Sequence, residues 1–177
     1  DLLTDTHDSE NLPDWLRRSW QYYWGDAASN TIARLAMLPP PLDISVTKDA
    51  TAWSEKLTGQ VINGHTIRRE FSGDPTQLLG FAEGEWWVQD AAAAVPARLL
   101  GQLRGKQVID LCAAPGGKTA QLIAAGATVT AIDSNRKRLD RLQRNLKRLN
   151  MRAKLVLSDG RTFVPEVPVD AILLDAP

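Results

Sequence analysis

The sequence has one cysteine and two histidines. A single thiol excludes an internal disulfide framework, and two imidazoles without clustered cysteines give no metal-ligand set of recognisable spacing, so no metal centre is expected. No apolar run approaches the roughly 18 residues that a membrane-spanning helix needs. The opening stretch, Asp1-Leu2-Leu3-Thr4-Asp5, carries no basic patch ahead of an apolar segment. A soluble, cytoplasmic chain with no membrane partner is the expectation. Net charge is absent too, since 21 basic and 21 acidic side chains balance. What is present is ordinary for a globular protein: 177 residues, 44% hydrophobic and 24% charged, enough to bury a core.

The zero net charge hides an asymmetry. Residues 1–97 hold 7 basic and 14 acidic side chains, whereas residues 134–154 hold 9 basic and 1 acidic. The nine are Arg136, Lys137, Arg138, Arg141, Arg144, Lys147, Arg148, Arg152 and Lys154. Such a run suits phosphates, and it equally suits the solvated face of a helix.

Residues 12–37 read as two short helices separated by Gly25, the first opening at Pro13 and carrying Trp15, Leu16, Trp20, Tyr23 and Trp24. The tryptophans fit core or interdomain packing better than a base-stacking platform. Pro39-Pro40-Pro41 forbids further helix, so residues 1–41 are expected to form a helical linker segment. Residues 42–100 read as a small α+β module: a strand over 42–46, a short helix around Trp53, and a hairpin turning at Asn63-Gly64. His65, just after that turn, reads as a surface loop residue. Trp86-Trp87-Val88 reads as a strand, with one ring buried and the other covering the junction between modules. The Ala91 to Ala94 run then starts a helix that ends near Gly101.

Residues 101–177 have a regular rhythm: strand 108–112, helix 117–125, strand 128–132, helix 135–149, strand 154–157 and strand 170–174. Alternating strands and helices predict an α/β, Rossmann-like, doubly wound parallel sheet with ligands at the carboxyl ends of its strands. In the second helix Leu139, Leu142, Leu146 and Leu149 recur at helical spacing and should face the sheet. Four strands ending at Leu174-Asp175-Ala176-Pro177, and a start without Met, suggest a piece of a longer protein whose sheet is truncated after its fourth strand.

The first strand breaks into Cys112-Ala113-Ala114-Pro115-Gly116-Gly117-Lys118-Thr119 and then a helix. Glycines let the backbone turn sharply and approach a ligand, and the N–H groups opening the helix point at whatever lies there, so an adenosine-containing cofactor is expected. Acids stand at or after the carboxyl ends of four strands: Asp110, Asp133, Asp159 and Asp175. Asp133 lies 22 positions after Leu111, close to the spacing of about 20 at which an acid accepts from a ribose diol. The alternative is that Asp133 or Ser134 caps the following helix. A competing motif is the Walker A loop, since Gly117-Lys118-Thr119 matches its end and Ala171 to Asp175 resembles Walker B. Cys112 stands where that loop requires glycine, which argues against a P-loop ATPase.

Together, Asp110 to Thr119, Asp133 with Arg138-Leu139, Asp159, and Leu174-Asp175-Ala176-Pro177 resemble the Sun/Fmu family of S-adenosylmethionine-dependent RNA cytosine-C5 methyltransferases. The likeness runs from about Leu42 to Pro177, and Phe81 to Gly101 is similar to the family's lead-in to the cofactor motif. It implies that Cys112, Ala113, Ala114, Pro115, Gly116, Gly117 and Lys118 wrap the methionine end of S-adenosyl-L-methionine. It further implies that Asp133 takes the ribose with Arg138 in support, that Asp159 reaches the adenine, and that Asp175 stands between cofactor and target base. Residues 42–100 then resemble an RNA-recruiting module for small-subunit ribosomal RNA, departing from the family at Ile44-Ser45-Val46, where an arginine is usual. Lys118, Arg136, Lys137 and Arg141 become the nucleic-acid candidates.

The chemistry that the resemblance implies adds a cysteine thiolate to carbon 6 of cytosine, transfers the methyl group to make 5-methylcytosine, and eliminates the enzyme. Two cysteines serve it in the family, one directly after the Asp-Ala-Pro triplet and one on a later strand. No catalytic residue is therefore expected within this chain, which alone should not turn over. Cys112 sits in the cofactor turn and reads as a small packed thiol. A non-catalytic RNA-binding or adenosine-cofactor module is the alternative reading. Neither the cytosine modified nor the oligomeric state is set by the sequence.

Overall fold

The computed structural model describes residue 10 and residues 12–176. The chain divides into two compact units, residues 1–41 and 42–177. The first holds α1 (Asp14–Met37), whose helical path breaks at Gly25, with φ 76° and ψ 169°. The two expected helices are thus present as two arms of one bent element. Within this unit the expected core packing of its aromatic side chains is not seen for Trp15 and Trp24, which are exposed. The Trp20 and Trp24 rings meet at a tilt of 49°, with centroids 6.0 Å apart.

The second unit contains two sheets. The first is antiparallel, in the order β2-β3-β1-β4, from β1 (Leu42–Val46), β2 (Gln60–Asn63), β3 (Thr66–Arg69) and β4 (Trp86–Val88), with α2 (Ala50–Lys56) between β1 and β2. Ile44, Val46, Leu57, Ile67 and Trp86 form its core. The intervening residues of β1, Asp43 and Ser45, are buried as well, so the strand is covered on both faces. Asp43 is satisfied by the Arg68 guanidinium, which donates to both of its oxygens at 2.7 Å, and by the Ala91 N–H at 2.8 Å. The Arg68 partner holds the Asp43 carboxyl below the usual carboxylate range. The hairpin turn falls at Gly64-His65, since Asn63 still pairs with Thr66, and only Gly64 takes a positive φ, of 58°. His65 is exposed.

The second sheet is wholly parallel, in the order β7-β6-β5-β8, from β5 (Gln107–Leu111), β6 (Thr128–Asp133), β7 (Lys154–Leu157) and β8 (Ala171–Leu174). α4 (Gly117–Ala124) and α5 (Arg136–Arg148) are its crossover helices. Leu139, Leu142, Leu146 and Leu149 are at most 7% exposed, as their spacing predicts, and each contributes roughly 1.5–3 kcal/mol by leaving water. The chain steps outward from β5 through β6 to β7, and β8 returns to the other side of β5. That reversal between β5 and β8 opens a crevice at the carboxyl edge.

The two sheets share a core and a polar hub. Both rings of the Trp86-Trp87 pair are buried, not one: Trp86 lies in the antiparallel core and Trp87 packs with Leu142, Leu146 and Leu149. Gln89 Oε1 accepts from Ser45 Oγ and from Trp87 Nε1, at 3.0 and 2.9 Å, while its Nε2 donates to Gln121 Oε1 on α4 at 3.0 Å. The expected helix from Ala91 is confined to α3 (Val95–Arg98); residues 91–94 form turns, with the Val95 N–H donating to the Ala92 carbonyl three residues back. Asp90 Oδ1 accepts from Ala92 and Ala93, and Ala91 donates to Asp43.

Candidate functional site

At the crevice, a cleft of about 560 Å³ gathers Cys112 through Lys118 after β5, Asp175 after β8, and Arg138, Arg141 and Asn145 from α5. A ligand pocket typically has this order of volume. Gly116 caps α4 with a φ of 104°, and a Cβ there would stand 3.0 Å from Leu142 Cγ. Asn145 Nδ2 donates to the Pro115 carbonyl at 2.8 Å. Leu142 and Asn145, one turn apart on α5, thus brace the turn from behind.

Lys118 Nζ forms an ion pair with Asp175 Oδ2 at the mouth. Below it Asp110 is 2% exposed and accepts from Thr119 Oγ1 at 2.6 Å. Burial pushes its carboxyl up to about 6, against the opposing hydrogen bond from Thr119.

Asp133 is also buried, and its Oδ1 accepts from the Asn135 N–H at 2.8 Å and from the Arg138 guanidinium. Its Oδ2 accepts only a long 3.4 Å bond from Ala114, leaving acceptor capacity toward the turn. The cap of α5 is neither Asp133 nor Ser134 but Asn135, whose side chain accepts from the Arg138 N–H at 3.1 Å.

Three expectations fare differently. Asp133 is buried and is not among the residues that line the cleft, to which it is joined through the Ala114 N–H of the turn. Asp159 does not line the cleft; its carboxylate is closed on Arg161 by both guanidinium and backbone donors. The Arg161 side chain holds it down to about 2. Cys112 is exposed, not packed, in a left-handed conformation with φ 60°. Of the basic run, Arg148 is not on a solvated face. Its guanidinium lies 3.9 Å from the Phe81 ring centroid and donates to the Phe81 and Trp86 carbonyls at 2.6 and 3.1 Å. Lys154 pairs with Glu166.

The lining also includes Trp87, Gln89, Asp90 and Ala93, which the sequence motifs did not single out as site residues. The signal for them was the lead-in segment directly before the glycine turn.

Residues 97–177 match the model of a family described as 16S rRNA methyltransferase RsmB/F. Over that stretch the chain is similar to the RsmB/F family. The chain is 34% identical over 180 residues to the ribosomal RNA small subunit methyltransferase B of Cronobacter sakazakii, covering 93% of this chain and 42% of that protein. It thus spans less than half the length of that curated relative. The structure of a methyltransferase homolog protein from Pyrococcus horikoshii superposes with a TM-score of 0.73 at 27% identity, covering 94% of this chain and 60% of that one. That of NSun6 from the same organism, with SFG, has the same fold at 19% identity and a TM-score of 0.79, over 93% and 70% of the chains. The matched stretch includes the glycine turn, Cys112 to Lys118.

Replacing Cys112 with glycine completes the Walker A spacing and tests that distinction. A left-handed non-glycine residue costs roughly 1–2 kcal/mol, so Cys112→Gly should raise the melting midpoint slightly. It should confer no magnesium-dependent ATP binding in calorimetry, because Pro115 supplies no N–H to a phosphate nest and Lys118 is held by Asp175.

Proposed function

We propose that this chain is the methyl-donor-binding part of an S-adenosylmethionine-dependent cytosine-C5 methyltransferase that acts on small-subunit ribosomal RNA in the cytoplasm. The observation that carries the reading is that the Cys112 to Lys118 turn and the Lys118–Asp175 pair share one cleft at the β5/β8 reversal. The donor set fits: a sulfonium and an ammonium are cationic, and Asp175, Asp110 and Asp90 line the cleft. Lys118, Arg138, Arg141 and Arg148 line it as well, so charges of both signs meet there.

When bound, S-adenosylmethionine supplies an electrophilic methyl group. The glycine turn would admit the donor close to the backbone, Asp133 Oδ2 would accept from a ribose hydroxyl, and Arg138 holds that carboxylate through Oδ1. Lys118 and Asp175 orient the base side of the cleft. Asp159, closed on Arg161, is not among the groups proposed to touch the donor.

Calorimetry with S-adenosylmethionine, beside ATP with magnesium, tests the reading. The donor should bind and ATP should not. Asp133→Asn keeps the shape of the side chain and removes its charge, and a lost charge-assisted bond of about 1.5–3 kcal/mol corresponds to roughly 10- to 100-fold weaker binding. Binding of ATP in place of the methyl donor would overturn the proposal.

A further inference from the structure

We propose that the solvent face of α5 is a track for an RNA phosphate backbone leading into the cleft; this rests on the RNA-methyltransferase reading and says where the substrate strand runs. α5 carries seven cations, Arg136, Lys137, Arg138, Arg141, Arg144, Lys147 and Arg148, against one acid, Asp140. Two are engaged, Arg138 by Asp133 and Arg148 by the Phe81 and Trp86 carbonyls. The other five make no ion pair among the described residues, and neither does Asp140. Lys137, Arg141 and Arg144 recur at i, i+4 and i+7, which stacks them in one stripe, and all three are exposed while Leu139, Leu142 and Leu146 are buried. Arg141 also lines the cleft, so the stripe reaches the glycine turn.

This placement works against the helix itself. The first turn of α5 holds Arg136, Lys137 and Arg138 and no acid, so three cations face the positive end of the helix dipole. Lys137 and Arg141, and then Arg141 and Arg144, stand at the spacings where like charges repel. A face kept only for solubility is served by both signs interspersed. A single-sign stripe maintained at a helix N-terminus is relieved when a polyanion covers it, and displacing counterions from phosphates drives that association. Guanidinium groups, planar and weakly hydrated, suit phosphate oxygens in particular.

The test is the double variant Lys137→Gln/Arg144→Gln, whose residues lie outside the cleft lining, measured by anisotropy with a short single-stranded RNA of mixed sequence. Two lost phosphate contacts should weaken binding about tenfold or more at low salt and reduce the log–log salt slope by between about 1 and 2. Adding Arg141→Gln should enlarge both effects. The melting midpoint should rise in the double variant, since the repulsion is relieved, and S-adenosylmethionine binding should not change. Unchanged RNA affinity and slope would overturn the proposal, as would a lowered melting midpoint, which would make the charges structural. So would lost binding to anionic lipid vesicles with RNA binding intact. If the wild-type chain takes RNA with the expected slope and loses it in the variant but binds no methyl donor, the surface stands and the proposed function falls.

Discussion

Gly84→Ala is expected to destabilise the chain by about 3 kcal/mol or more, read as a large drop in the urea or thermal midpoint. Gly84 has a φ of 75°, and a Cβ there would lie 1.9 Å from the Arg148 carbonyl oxygen and 3.0 Å from Leu149 Cα. Both obstacles are backbone, at the carboxyl end of α5, so no side chain can swing away. The loop would have to lift from the helix, breaking the hydrogen bonds from Arg148 to the Phe81 and Trp86 carbonyls. Overpacking costs typically 1–3 kcal/mol and a left-handed alanine roughly 1–2 more. Gly105→Ala separates the two contributions, since Gly105 has a φ of 76° and a Cβ there would meet nothing within 4 Å. That variant should lose only the conformational part. Equal losses in the two variants would refute the steric account.

Asp110→Asn is expected to stabilise the chain above neutral pH while impairing the cleft. Burial raises the Asp110 carboxyl from an ordinary 3.8 to about 6. A group whose folded pKa is raised binds its proton more tightly in the folded state, so its contribution is fully present below about 4 and is lost as pH rises through about 6. At 1.36 kcal/mol per unit the loss amounts to about 3 kcal/mol. Asparagine carries no charge at either end of that window and still offers Thr119 Oγ1 an acceptor. The variant should therefore melt well above the parent at pH 8 and near it at pH 4. A difference that does not depend on pH would sink the assignment. Lys118 and Asp175, which act on Asp110 in opposite senses, are the charged groups to hold constant.

The parallel sheet was legible because its rules are local. Apolar runs of strand length alternate with a helix whose leucines recur at Leu139, Leu142, Leu146 and Leu149, and the glycine turn marks the carboxyl edge. What escaped was set by distant partners. The four alanines at Ala91 to Ala94 have high helix propensity, yet they form turns ahead of α3, tied to β1 by the Ala91 N–H bond to Asp43, 48 positions away. Trp87 is the ring expected at the junction between modules, but that it packs on Leu142, Leu146 and Leu149, far downstream in the chain, is not written in its neighbours. Asp159 looked free in sequence, and Arg161 two residues later closes on it. Capping of α5, offered to Asp133 or Ser134, falls to Asn135, because the helix starts one residue later than the 135–149 expected from the sequence. Trp15 and Trp24 have helical spacing without a partner surface in their own unit, so periodicity did not tell a core ring from one left exposed there.

The shared position of Trp87 bears on how the protein can be cut. The stretch that carries the family match begins at residue 97, after Trp87, after Gln89 and after the Phe81 ring that seats Arg148. A polypeptide starting there would present Leu142, Leu146 and Leu149 to water, leave Gln121 without the amide that holds it, and free the end of α5. The antiparallel sheet is therefore a wall of the parallel-sheet unit and not an appendage to it. Its loss should appear as a collapse of the glycine turn, far from the site of excision.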